Sequence, residues 1–120
     1  VADAWSLLLS LELLPGADYG SSNTLSQITE PSTFVDHEMP YTIIVSLNVD
    51  LSGTDCVPPV NASVWEFSPY EFGSWDPRVG AFTPNAFLGS SLSGGVPSTN
   101  SCITSYENLG FVMGTSSTLF

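Results

Sequence analysis

The stretch from Val64 to Pro77, VWEFSPYEFGSWDP, constrains this chain more than any other. Trp65, Phe67, Tyr70, Phe72 and Trp75 crowd into it, interrupted by Pro69 and Gly73. Rings at that density dominate the energetics of whatever core or interface they enter. Glu66 and Glu71 stand among them, so two carboxylates must reach water or find donors. The pattern predicts a short strand over Ser63 to Phe67, a turn at Ser68-Pro69 and a tight loop at Gly73. The expected role is a core strand followed by an aromatic-anchored corner, with a sugar-stacking platform as the sharper alternative. Charge excludes a nucleic-acid platform: Arg78 is the one Lys or Arg against 12 Asp and Glu, for a formal net charge of −11.

The same imbalance argues against electrostatic docking on an anionic bilayer. It does not imply disorder, because 42% of the residues are hydrophobic and their burial offsets chain entropy. A chain of 120 residues forms one domain at most and is long enough to bury a core. It opens at Val1 without an initiator methionine and stops at the apolar Phe120. The expectation is an internal piece of a larger domain, incomplete at both ends. Cys56 and Cys102 are compatible with one disulfide, with two half-bridges to another segment, or with free thiols. Asn61-Ala62-Ser63 is an N-glycosylation acceptor. Acidity, sequon and cysteines together lean toward a secreted protein, extracellular or wall-associated. No run reaches the roughly 18 apolar residues of a membrane span. The Leu-rich run from Trp5 to Leu14 carries Glu12 and lacks the basic flank of a signal peptide.

Along the chain, Asp3 is placed to cap a helix over Ala4 to Leu14, ended by Pro15-Gly16. Its apolar residues cover nearly the whole circumference, which predicts burial on more than one side. Ala17 to Pro40 reads as a long ordered surface connection anchored by Leu25, Ile28, Phe34 and Val35. Tyr41 to Leu47 is a continuous β-branched run, expected to be a strand buried on both faces, with Asn48 to Leu51 continuing by alternation. Ser52 to Val60 is a loop. After Pro77 the pattern gives only turns and short pieces, with Gly89 to Gly95 expected to be exposed. Glu107 to Leu109 opens a final segment in which Val112 or Met113 and Leu119 or Phe120 share one helical face.

SPYEFGSWDP, followed by GAFTP, a Phe-Leu-Gly step, a Gly-Gly pair and the ending GFVMGTSSTLF, resembles the fungal lysophospholipase (phospholipase B) family, relatives of cytosolic phospholipase A2. The motifs fall in order over most of the chain, from the Trp5 helix to Phe120. Trp65, Phe67, Pro69, Tyr70, Glu71, Gly73, Asp76 and Pro77 carry the densest part. The resemblance implies an α/β fold: part of a patatin-like catalytic domain, a mixed sheet flanked by helices, with the last segment helical. It implies a carboxylic ester hydrolase acting on phospholipids or lysophospholipids through a Ser-Asp dyad, with no cofactor and transient contact with lipid aggregates. Both dyad residues would lie outside these residues, so no catalytic residue is assigned here and the isolated chain is expected to be inactive.

The tempting alternatives are each weaker than their structural explanation. His37 is the only histidine and would have to serve any Ser-His-Asp triad, but VDHEMP reads as an exposed loop. Leu92-Ser93-Gly94-Gly95 has Ser91 where a nucleophile elbow needs glycine, and no strand leads into it. Gly114-Thr115-Ser116 lacks the second glycine of such an elbow. Asp76 is a turn residue rather than a dyad aspartate. Asp36, Glu38, Asp50 and Asp55 form no metal pattern. Arg78 is expected to pair with a carboxylate. The reading from a different class is a small secreted β-rich carbohydrate-binding or cell-wall protein, with a Cys56–Cys102 bridge and with Trp65 and Trp75 exposed.

Overall fold

The computed structural model describes residues 2–14, 16, 18–48, 59–93, 96–98, 100–101 and 103–116. Cys56 and Cys102, Asp50 and Asp55, the Gly94-Gly95 pair, and Leu119 and Phe120 lie outside the described residues. So do the disulfide alternatives and the last turn of the expected C-terminal helix.

A four-stranded sheet is the centre of the fold. β1 (Ile44–Leu47), β2 (Val64–Phe67), β3 (Glu71–Ser74) and β4 (Ala81–Pro84) lie in chain order. Every neighbouring pair is antiparallel, so among the described residues the sheet is not the mixed sheet expected. β5 (Leu92–Ser93) and β6 (Val96–Pro97) form a separate small ribbon.

The register puts Ile44, Phe67, Phe72 and Thr83 on one face. That face meets α3 (Leu109–Ser116), with the Phe67 and Phe111 rings edge to face at 6.4 Å. Phe67, 2% exposed, joins Leu25 and Val112 as the buried hydrophobic centre, with Ile44, Phe72, Leu88, Leu109 and Phe111 packed around them. The opposite face carries Val45, Val64 and Phe82 and is largely open. Hence β1 is a half-exposed edge strand, not a strand buried on both sides.

Two segments read as turns are strands for an identifiable reason. Gly73 sits inside β3 because the Phe82 side chain and the Ala81 carbonyl lie where any Cβ would stand. Its glycine marks a close approach rather than a chain reversal. β4 then follows from pairing with β3 over Glu71 to Ser74. Between α1 and β1 the chain is a connection, as expected, made of a 3-10 turn (Ser26–Thr29) and the short α2 (Ser32–Val35). Leu25 is its buried anchor, whereas Val35 points outward. An antiparallel bridge between Thr24 and Asn108 fixes the connection to the start of α3. Beside it Ser26 Oγ donates to the buried Glu107 carboxylate at 2.7 Å.

The first helix, α1 (Ala2–Leu13), starts ahead of Asp3, which therefore lies within it rather than capping it. Its apolar residues are not what it buries here. Trp5, Leu7, Leu8, Leu11 and Leu13 are exposed, while Ser6 and Ser10 are buried against α3. The partners are Gly110 and Gly114, one turn apart like the serines. Small side chains on both helices let the backbones approach closely. A methyl group at Gly110 would meet, nearest of all, the rotatable Ser10 hydroxyl, and then the Asn108 side chain and the Ser10 Cβ. One at Gly114 would also press on the Ser6 backbone at 3.0 Å.

Alanine favours a helix over glycine by about 1 kcal/mol, and overpacking costs about 1–3 kcal/mol. Gly114→Ala should therefore lower the melting temperature of the protein, and Ser6→Gly should restore part of the loss. An unchanged melt for Gly114→Ala would show that the two helices do not approach this closely.

Candidate functional site

The corner between β2 and β3 is held almost entirely by the chain's own polar groups. Ser68 N–H donates to the Glu71 carbonyl at 2.9 Å, and Ser68 Oγ accepts from the amides of Tyr70 at 3.3 Å and Glu71 at 3.0 Å. This serine-turn geometry places the fully buried Pro69 beneath the turn. Asn85, just after β4, clamps the corner from the side. Its amide donates to the Tyr70 carbonyl at 3.1 Å and its Nδ2 to the Ser68 carbonyl at 2.8 Å. At the other end of the hairpin the buried Ser74 hydroxyl donates to the Val64 carbonyl at 2.5 Å, extending the short β2–β3 ladder by one side chain.

The corner fixes aromatic rings on both faces of the sheet. On the core face Trp65 stacks on Phe72 at 5.1 Å and 14°, and Phe72 meets Phe67 at 4.3 Å. Trp65, Phe72, Thr83, Phe87, Leu88 and Leu92 line a groove of about 330 Å³. On the open face Trp75, 76% exposed, leans on Phe82 at 4.7 Å and donates from Nε1 to the Glu66 carboxylate at 2.9 Å. Glu66 has thus found a donor. The two tryptophans do not form one platform: Trp65 is half-buried against Phe72, and only Trp75 is open to solvent.

Arg78 is engaged through Nε and Nη2. Its guanidinium grips both oxygens of Asp76, at 2.9 Å from Nε and 2.5 Å from Nη2. Nη2 also donates to the Asn61 carbonyl at 2.6 Å and the Ser63 hydroxyl at 3.1 Å. The planar fork of arginine suits this bidentate grip. Asp76 is therefore the turn residue expected, and it ties the sequon segment to the turn before β4. Hydrogen bonds from the Arg78 side chain and amide, reinforced by Ser63 and by the cation's charge, hold the Asp76 carboxyl well below its ordinary range.

The remaining candidates are scattered. His37 is exposed and ends α2 in the left-handed region at φ 59°, a helix-terminating position. Ser93 is exposed in the β5–β6 ribbon, and Ser116 ends α3, so neither stands on a strand-to-helix elbow. Asn61 is exposed beside a turn closed by Ala62 N–H to the Pro59 carbonyl at 2.8 Å. Among the described residues, no group of three or more His, Cys, Asp or Glu could hold a metal ion, and no helix is long and apolar enough to cross a membrane. Sequence reasoning missed Asn85 and Ser74. For Asn85 the available signal was a polar residue between Pro84 and the apolar Ala86-Phe87; Ser74 had none.

A carboxylate held below its unfolded value adds stability that is complete above that value and is lost progressively as pH falls from there through the depressed folded value. Melts from about pH 6 to about pH 2 should therefore fall more steeply for the parent than for Asp76→Asn. Equal slopes would mean that the Asp76–Arg78 grip contributes nothing to folding.

The Lysophospholipase catalytic domain family model matches residues 1–120. Probable lysophospholipase 5 of Schizosaccharomyces pombe is 40% identical over 120 residues, covering 100% of this chain and 19% of that protein. Lysophospholipase 3 of Candida albicans is 42% identical over 124 residues, covering 100% and 16%. Lysophospholipase 1 of Aspergillus fumigatus is 41% identical over 121 residues, covering 100% and 19%. The chain thus spans at most about a fifth of the length of these curated relatives. No solved structure matches it significantly. The motifs around the aromatic corner and the match over its whole length have one meaning: this chain belongs to the lysophospholipase catalytic-domain family.

Proposed function

We propose that the chain is a structural part of the catalytic domain of a secreted lysophospholipase with a patatin-like α/β fold. The enzyme hydrolyses acyl esters of lysophospholipids and phospholipids. The observation that carries the reading is the family match over residues 1–120. In the proposed reaction a serine oxygen attacks the ester carbonyl and an aspartate takes its proton. Backbone amides hold the oxyanion. The glycerol alkoxide leaves with the proton, and water then cleaves the acyl-serine to release the fatty acid. We place that serine and aspartate outside this chain. Consistent with this, Asp76 is occupied by Arg78, and Ser93 and His37 are exposed and far from any elbow geometry.

The exposed apolar face of α1 and the open face of the sheet fit burial by further parts of the same catalytic domain, since contiguous apolar surface of this kind marks an interface. The groove beside Trp65 and Phe72 offers an apolar wall for an acyl chain. At about 330 Å³ it lies within the usual range of ligand clefts. The exposed Asn61 supports passage through the secretory route.

The full-length protein should release fatty acid from a lysophospholipid, while the isolated chain should release none above buffer. Ser93→Ala in the full-length protein should keep kcat/KM within about twofold, because it removes no contact to a reacting atom. Loss of activity in Ser93→Ala, or hydrolysis by the isolated chain, would overturn the assignment of the dyad to other residues. Asn61→Gln should remove one glycan from the secreted protein, read as a mass loss abolished by prior deglycosylation. An unchanged mass would mean that Asn61 is unmodified.

A further inference from the structure

Three rings from separate segments meet at the surface away from the hydrophobic centre. Phe34 comes from α2, Tyr41 from the residues leading into β1, and Tyr70 from the β2–β3 corner. Their centroids are 6.3 Å apart for Phe34–Tyr41, 6.1 Å for Phe34–Tyr70 and 6.4 Å for Tyr41–Tyr70. The planes are inclined by 37°, 66° and 33° in the same order. No pair stacks flat. Tyr41 and Tyr70 are 53% and 58% exposed, and Phe34 is half-buried.

We propose that Phe34, Tyr41 and Tyr70 form an aromatic cage for a quaternary ammonium group, the choline-type headgroup of a lysophospholipid. The choice of a lipid headgroup rests on the lysophospholipase reading; the ring geometry does not. The three centroids form a nearly equilateral triangle. A cation about 3 Å above its plane, on the axis, lies about 4.7 Å from each ring centroid, within the ≈6 Å over which a ring attracts a cation seated on its face.

Charge fits the same occupant. Asp36, Glu38 and Glu71 each lie within three residues of a caging ring, and the chain has one Lys or Arg, already held by Asp76. A covering protein layer suits this patch less well than it suits the leucines of α1. Asp36, His37, Glu38 and Glu71, neighbours of the rings in sequence, are exposed and would lose their hydration. A methylated ammonium is weakly hydrated, and a single positive charge suits rings whose sequence neighbours are exposed carboxylates.

The test uses the full-length protein and, as probe, tetramethylammonium chloride, followed by calorimetry. Its control is 3,3-dimethylbutan-1-ol, an uncharged compound with a similar tert-butyl end. The salt should bind and the alcohol should not. Tyr70→Leu and Tyr41→Leu should each weaken binding about tenfold, and Tyr70→Phe should retain it because the ring remains. Equal binding of salt and alcohol, or no effect of Tyr70→Leu, would overturn the cage.

Hydrolysis assays then separate the sources of the ammonium group. If the headgroup is the occupant, Tyr70→Leu raises KM about tenfold for a choline-headed lysolipid and leaves a glycerol-headed one unchanged. Ring-dependent binding of the salt without that selectivity would overturn the headgroup assignment and leave a site for a free quaternary ammonium compound. Ring-dependent binding in a protein that hydrolyses neither lipid would support the cage while the proposed activity falls.

Discussion

Phe67 is where the fold is joined. Its ring lies against Phe72 of the next strand and edge-on to Phe111 of α3, so one side chain couples the hairpin to the helix layer. Burying a phenylalanine contributes about 1.5–3 kcal/mol by area alone. Its removal leaves a cavity at the meeting point of two layers, where typical losses are about 3–5 kcal/mol. The rest of the order radiates from it. The Ser68 turn and the Asn85 clamp set the direction in which the strand reverses, and α1 reaches the sheet through α3. The corner is held by the Ser68 and Asn85 hydrogen bonds and by its ring contacts, while the buried Asn85 Oδ1 accepts none among the described residues.

How much of this was legible depends on how local the cause was. The strand Val64–Phe67 and the turn at Ser68 were readable because ring density and Ser-Pro act within a few residues. The helix α1 was readable from its leucines, but the face it presents to α3 was not. Ser6 and Ser10 are buried because Gly110 and Gly114, distant in sequence, leave room only for small side chains. Gly73 illustrates the opposite error. A glycine reads as a chain breaker until one sees the Phe82 ring lying over it. The reading of β1 as doubly buried failed because a β-branched run reports apolar surroundings without saying which of them this chain supplies.

The candidate site divides along the same line. The resemblance carried by SPYEFGSWDP located the corner, and local chemistry already required Glu66 to find a donor and Arg78 an acid. The identity of those partners, Trp75 and Asp76, came from register and turn geometry. The ring trio of Phe34, Tyr41 and Tyr70 was invisible, since its members come from three segments with no shared period.

The engagement of Arg78 has an electrostatic consequence for the whole chain. With its one guanidinium committed to Asp76, eleven further carboxylates have no Lys or Arg of this chain to neutralise them. Their mutual repulsion is left to dissolved ions to screen, so it is strongest at low salt and weakens as ionic strength rises. Salt thus lowers the self-repulsion of the surface, while the Asp76–Arg78 pair is held by the directed hydrogen bonds of the guanidinium as well as by charge.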